Sequence, residues 1–231
     1  MPYEFEINDL AKEESWRMFR IIGELVEGFD RLSDVEPAIT IYGSARIKPD
    51  DELYTQTETI AFRLGQMGFS IITGGGPGVM EAANKGARRA GVESVGLNIS
   101  LPEEQVVNTY TTRSMTFNHF FARKVMLVKY ALAFIIMPGG LGTMDELTEV
   151  LTLIQTNKIK PFPVVLYKSE YWQGFLNWLQ NCTLANGYIS EEDMQLLRVC
   201  DRPDEVIDTV EKWYVKHEVG GRRAVLNKDL G

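Results

Sequence analysis

The run Ala131-Leu-Ala-Phe-Ile-Ile136, followed at once by Met137-Pro-Gly-Gly-Leu-Gly-Thr-Met-Asp-Glu146, constrains the fold more than any other stretch of the chain. Six consecutive apolar residues read as a strand buried on both faces. Leu147, Val150, Leu151, Leu153 and Ile154 then recur at helical spacing, so the strand turns sharply into an amphipathic helix. Glycines in such a turn let backbone amides approach a ligand closely and adopt positive φ. Thr143 is placed to cap a helix whose free N–H groups and dipole attract phosphate. Each such contact contributes about 0.3–1 kcal/mol when exposed and about 2 kcal/mol when partly buried. Thr143-x-x-Glu146 also reads as a capping box, with Glu146 merely reaching back to the backbone of Thr143. A capping box needs no Gly-Gly-x-Gly before it, and that density favours the anion site.

Two further strands end in the same way. Ala38–Tyr42 runs into Gly43-Ser44-Ala45-Arg46, and Phe69–Thr73 into Gly74-Gly75-Gly76-Pro77-Gly78. Helices are expected over about Asp51–Met67, from Val79 toward Gly91 with Pro77 at its start, from about Thr116 to the strand at 131–136, over Tyr171–Leu179 and over Pro203–His217. Strands are expected at Glu93–Ile99, Pro161–Tyr167 and Leu196–Cys200, with Val106–Thr112 a short strand or irregular. Strands alternating with helices predict an α/β fold: a Rossmann-like doubly wound parallel sheet with helices on both faces. Ligands in such folds collect outside the carboxyl ends of the strands, where the strand order reverses, so the three glycine turns face one edge. The alternative role for those glycines is tight packing of helix on strand. Gly74–Gly78 lacks the GxGxxG of dinucleotide folds and the Lys-Ser/Thr ending of a P-loop, which leaves ATP hydrolysis poorly supported.

An extra N-terminal helix spans about 8–31, with Asn8 as a cap and an apolar stripe of Leu10, Trp16, Phe19, Ile22, Leu25, Val26 and Phe29. That stripe packs on the core or on a second subunit. The whole, residues 1–231 and 45% hydrophobic, reads as one domain with its core at about 38–180 and a C-terminal extension at about 185–231, polar and loose past Gly220.

A net charge of -8 argues against nucleic-acid or anionic-membrane partners, so any anionic ligand must be held locally. Cys182 and Cys200 have no metal-type spacing and imply no disulfide framework, which suits a reducing compartment. An acidic N-terminus and the lack of an 18-residue apolar run predict a cytoplasmic protein with no membrane partner. No metal is expected, because His119 and His217 stand alone.

Arg123 lies about two turns into the helix expected from Thr116. A helix of about 14 residues rises about 21 Å, comparable with a six-residue strand, which brings its early turns to the carboxyl edge of the sheet. Arg123 and Glu146 can then converge on one pocket; the alternative for Arg123-Lys124 is a solvated helix face.

Gly74-Gly-Gly-Pro-Gly-Val-Met-Glu-Ala-Ala, then Arg123-Lys124, then Pro138-Gly-Gly-Leu-Gly-Thr-Met-Asp-Glu146 resembles the LONELY GUY (LOG) family, once labelled "lysine decarboxylase-like". The resemblance covers about residues 38–180. It implies hydrolysis of the N-glycosidic bond of a purine nucleoside 5′-monophosphate, AMP or a cytokinin riboside monophosphate, to free base and ribose 5-phosphate, with no cofactor. By motif position it makes Arg123 and Glu146 the catalytic pair. Gly139, Gly140, Gly142 and Thr143 hold the phosphate, Ser44, Gly75 and Gly76 line the pocket, and Glu104, Lys124 and Thr152 are carried over as further substrate contacts. It also implies a homodimer or higher homo-oligomer with the site near the interface. Glycosidic cleavage passes through an oxocarbenium-like state, so a fixed carboxylate at Glu146 can stabilise the ribose cation and orient or deprotonate water. Arg123 can hold the 5′-phosphate or polarise the leaving base. Each accounts for about 10²–10³ in rate as a preorganised electrostatic group. The decarboxylase label instead predicts a pyridoxal phosphate Schiff base on Lys124, the one lysine near the site. A non-catalytic nucleotide carrier on the same fold is the other alternative; a carrier tolerates Glu146→Gln and a hydrolase does not.

Overall fold

The structure is a computed structural model that describes residues 7–101 and 107–217. Seven strands form one parallel sheet: β1 (Ala38–Tyr42), β2 (Ser70–Thr73), β3 (Ser94–Ile99), β4 (Arg113–Phe117), β5 (Ala131–Ile136), β6 (Val164–Tyr167) and β7 (Leu197–Cys200). Their order is β4-β3-β2-β1-β5-β6-β7, so the chain winds outward from β1 in one direction and then from β5 in the other. The reversal falls between β1 and β5, whose registers include Ile41 with Ile135 and Tyr42 with Ile136. This is the Rossmann-like doubly wound sheet that the alternating pattern predicts.

Every residue of β1, β2, β3 and β6 is buried, as a parallel sheet covered on both faces requires. Alternate side chains feed two cores. Tyr42, Phe134, Ile136, Val164 and Leu166 face a layer that includes Met126 and Leu127 of α4 (Phe120–Lys129), Leu147 and Val150 of α5 (Leu141–Gln155) and Trp172 of α6 (Ser169–Trp178). Ile39, Ile41, Ile135 and Val165 face Ile60 and Leu64 of α2 (Glu52–Gln66), Ala83 and Ala87 of α3 (Val79–Ala90) and Val206 and Val210 of α8 (Pro203–His217).

Several expectations are corrected. Residues 113–117 are a strand, not the start of a helix. Met115 and Phe117 point inward while Ser114 and Thr116 are exposed, the period-2 signature of an edge strand. α4 therefore begins only at Phe120 and is 10 residues long, which puts Arg123 in its first turn. β6 starts after Pro163 rather than at Pro161, since neither proline can donate to the ladder. α3 begins at Val79, two residues past Pro77, with Gly78 in the N-cap position. After α6 the chain continues through a π-helical turn, Leu179–Leu184, and the short α7, Glu191–Met194, closed by a capping box from Ser190 and Asp193.

The N-terminal helix α1 spans Ile7–Arg31, so Asn8 lies inside it rather than capping it. Its C-terminal half rests on α4 through Gly28 against Met126 and the Tyr130 hydroxyl on the Phe29 carbonyl at 3.3 Å. Leu25 of its stripe packs on the core, whereas Trp16, Phe19, Ile22 and Val26 are exposed. Among the described residues, no helix is long and apolar enough to cross a membrane.

Candidate functional site

The three glycine turns meet at the carboxyl edge, stitched together by the backbone. Ser44 N donates to Pro138 O at 3.0 Å, Val79 N donates to Ser44 O at 2.9 Å, and Met137 N donates to Tyr42 O at 2.8 Å. Gly139 lies so close to Ser44 N and the Thr143 side chain that a Cβ there would overlap both. The turn after β1 is thus wedged between the other two.

α5 starts at Leu141 with Gly140 as its N-cap, and no side chain caps that end. Thr143 is the third helical residue and is buried beneath Gly139, so neither the Thr143 cap nor the capping box forms. The first intrahelical bond is Met144 N to Gly140 O at 3.1 Å. The amides of Leu141, Gly142 and Thr143 precede it and receive no side-chain cap, and Gly140, Leu141 and Gly142 are exposed. An uncapped helix N-terminus at a sheet's switch point is an anion-binding surface.

Arg123 and Glu146 converge here. Arg123 Nη1 lies 3.5 Å from Glu146 Oε1, and the two side chains are only 10% and 14% exposed. Arg123 Nε donates to the Leu97 carbonyl of β3 at 2.6 Å. The guanidinium passes directly over Gly74, where any Cβ would collide with Nη2. α4 itself is anchored from α1: the Glu24 carboxylate accepts from Asn118 N at 3.1 Å, Asn118 Nδ2 at 2.9 Å and His119 N at 3.3 Å. Partial burial would raise the Glu24 carboxyl, but the Asn118 and His119 hydrogen bonds outweigh it and hold it below the ordinary range.

Burial pushes the Glu146 carboxyl up to about 7, against the pull of Arg123 and with Asp145 and Glu149 adding to the rise. Near neutral pH this group can hold or release a proton, as an acid–base or cation-stabilising carboxyl requires. Tyr42, at the end of β1, is raised well above the ordinary phenol range by burial and then by Glu146 and Glu149, so it stays a neutral phenol beside the pair.

The remaining predicted residues divide. Gly75 has φ 73° and Gly76 carries the carbonyl that accepts from Asn108 Nδ2 at 2.9 Å. Ser44 sits between the turns, its hydroxyl accepting from Arg46 N at 3.0 Å. Lys124 turns to α5, pairing with Asp145 at 2.7 Å and Glu149 at 3.6 Å. Thr152 is exposed three turns along α5, its hydroxyl donating to Thr148 O at 2.8 Å. Glu104 lies outside the described residues.

Sequence reasoning missed a buried polar network behind the 74–78 turn. Thr73 Oγ1 donates to Asn84 Oδ1 at 2.7 Å and accepts from Gly75 N at 3.0 Å. Asn84 Nδ2 reaches Ser94 Oγ at 2.9 Å, and Asn108 Nδ2 reaches Asn84 Oδ1 at 3.0 Å. The available signal was polar side chains at core positions: Thr73 ends an apolar strand and Asn84 lies on the buried face of α3. The contacts of Tyr42 with Glu146, Gly74 with Arg123 and Tyr171 with Gly139 were not legible, since the partners lie far apart in sequence.

A doubly wound sheet with an uncapped, glycine-led helix N-terminus and an Arg–Glu pair at its switch point defines a Rossmann-like α/β protein. Comparison with known proteins narrows this. The sequence model of a family described as "Possible lysine decarboxylase" matches residues 80–210, and the chain belongs to that family, the LOG family. It is 26% identical over 159 residues to the rice (Oryza sativa subsp. japonica) cytokinin riboside 5′-monophosphate phosphoribohydrolase LOG, spanning 68% of this chain and 65% of that protein's length. It is 28% identical over 158 residues to the cytokinin riboside 5′-monophosphate phosphoribohydrolase of Mycobacterium marinum, spanning 68% of this chain and 84% of that protein. Among solved structures, the Moco carrier protein of Chlamydomonas reinhardtii superposes with a TM-score of 0.56 at 22% identity, over 78% of this chain and 98% of its own. A molybdenum cofactor binding protein of Rippkaea orientalis gives 0.56 at 20%, over 76% and 94%. At such identities these two establish the shared fold and nothing more.

Proposed function

We propose that the chain hydrolyses the N-glycosidic bond of a purine nucleoside 5′-monophosphate, AMP or a cytokinin riboside monophosphate, releasing the base and ribose 5-phosphate. The observation that carries this reading is the buried Glu146 carboxyl, 3.5 Å from Arg123, at the carboxyl edge of the sheet. The 5′-phosphate takes the amides at the start of α5, together with Gly139, Gly140, Gly142 and Thr143, while Ser44, Gly75 and Gly76 line the ribose side. Glu146 as carboxylate stabilises the oxocarbenium-like ribose and takes a proton from the attacking water. Arg123 holds that carboxylate in place and offers its remaining N–H groups to substrate anion or base.

The site does not favour decarboxylation through a lysine Schiff base. Burial would lower the Lys124 amine, but its ion pairs with Asp145 and Glu149 outweigh that and keep it raised, hence charged; a Schiff base needs a free neutral amine. Exposed Trp16, Phe19, Ile22 and Val26 of α1, beside Phe120, Phe121 and Val125 of α4, support a homodimer through this face, next to the helix that carries Arg123.

The test is incubation with AMP and with isopentenyladenosine monophosphate, quantifying base and ribose 5-phosphate beside Glu146→Gln. Release from either nucleotide that vanishes in the variant is the expected result, and the ratio of rates ranks the bases. A protein that cleaves neither, yet is stabilised by AMP, favours the carrier reading or a substrate with another base.

A further inference from the structure

We propose that Tyr171 is a positioning residue that locks the Gly139–Gly140 peptide in its anion-binding orientation; this rests on the phosphate reading of the α5 N-terminus. Tyr171 sits in the first turn of α6, two strands from β1, and its hydroxyl donates to the Gly139 carbonyl. The ring is 49% exposed and meets Trp172 edge-on, with centroids 5.0 Å apart at 85°, so a fully buried residue fixes its direction.

The peptide it holds has glycine on both sides and is free to rotate, because no Cβ restricts either flanking dihedral. A trans peptide directs its N–H opposite to its C=O. The carbonyl is drawn toward α6, on the β6 side of β5, so the Gly140 N–H faces the β1 side, where the switch-point crevice lies. Were the peptide to turn over, a carbonyl oxygen would face the anion in place of an N–H.

The approach of α6 is itself held under constraint. Lys168, immediately before it, has φ 74°, a left-handed backbone that is unfavourable for a non-glycine residue. Three bonds over-determine it: Lys168 N to Cys200 O at 2.9 Å, Tyr171 N to Lys168 O at 3.1 Å, and Ser169 N to the Asp201 carboxylate at 2.7 Å. Strain kept at the start of the helix that delivers Tyr171 to the loop fits a positioning role better than incidental packing.

Tyr171→Phe keeps the ring, its contact with Trp172 and the exposed surface, removing only the hydroxyl. Titration calorimetry with ribose 5-phosphate and with inorganic phosphate measures the anion site without turnover, and steady-state kinetics on the nucleoside monophosphate separates KM from kcat. The expected result is a Kd for both anions raised about 3–10-fold, the effect of one lost hydrogen bond, with KM raised equally, kcat at saturation unchanged and the melting temperature unmoved. Equal Kd values in wild type and variant overturn the proposal. So does a fall in melting temperature at unchanged Kd, which is the mark of a purely structural hydroxyl. A wild-type protein that binds neither anion overturns the phosphate reading and this inference together, and is distinguished by needing no variant to see it.

Discussion

Glu146→Gln tests the electrostatics of the site through stability as well as through rate. The carboxyl is raised from 4.5 to about 7, and every tenfold change in proton affinity corresponds to about 1.4 kcal/mol between the charged and neutral forms. Above neutral pH the folded chain therefore carries a penalty of about 3 kcal/mol for the buried carboxylate. The sign follows from proton counts. Between pH 4.5 and about 7 the unfolded chain has released this proton and the folded chain still holds it, so stability falls as pH rises through that window. Below 4.5 both states are protonated and the penalty is absent. Glutamine imitates the neutral acid at every pH. Its melting temperature should match wild type near pH 4.5 and exceed it near pH 8 by about 6–12 °C, at about 2–4 °C per kcal/mol for a chain of this size. The assay is thermal or urea denaturation of both proteins across that range, paired with a rate profile. In wild type, kcat/KM should rise with pH through an apparent pKa near 7, and the variant should lose about 10²–10³ or more in rate at every pH. A stability difference between the two proteins that is constant from pH 4.5 to pH 8 would refute this reasoning, because it would place Glu146 in an ordinary solvated environment.

Gly74→Ala inserts a methyl into the Arg123 guanidinium; kcat/KM should fall at least tenfold while stability drops by about 1–3 kcal/mol, read by kinetics beside urea denaturation. Asn84→Ala strips the acceptor of Thr73 and Asn108 and the donor to Ser94. It should cost about 1–3 kcal/mol for each buried group left without a partner, and the loosened 74–78 turn should show as faster amide exchange at Gly75 and Gly76. Phe19→Glu places a charge in the exposed α1 face and should convert the proposed homodimer to a monomer in light scattering while leaving its circular dichroism unchanged.

The parts of this architecture that were legible in the sequence are those whose cause is local. β1, β2 and β5 are short, mainly apolar runs because a central parallel strand is buried on both faces, and a glycine-rich turn follows each because the chain must turn sharply into a helix there. β4 was not legible: an edge strand of five residues with one covered face has Ser114 and Thr116 outward, and the phenylalanines of β4 and α4 run together at a spacing that imitates one helix. Arg123 could be placed at the correct edge despite that error, since both readings feed the same β5 from the same side. Thr143 and Glu146 show the opposite case. Their i, i+3 spacing satisfies a capping box, but α5 starts three residues earlier than that box requires, because Gly139 must pack on Ser44 and leaves no room for a longer turn.

That displacement has a chemical consequence. Had Thr143 been the N-cap, its hydroxyl would occupy one of the free amides and Glu146 would fold back onto the backbone, leaving a helix end with weaker anion affinity and no carboxyl for Arg123. With the helix begun at Leu141, Glu146 moves from the first turn into the second and its side chain swings inward beneath β1 and β3, where Leu97 O and Gly74 already fix the guanidinium. The glycines thus act in two ways at once: Gly140 and Gly142 leave the amides bare, and Gly139 and Gly74 set the close approaches that bring the charged pair together. A single shift of helix start separates a structural cap from the proposed reactive pair, and only the packing of three turns against one another decides which is formed.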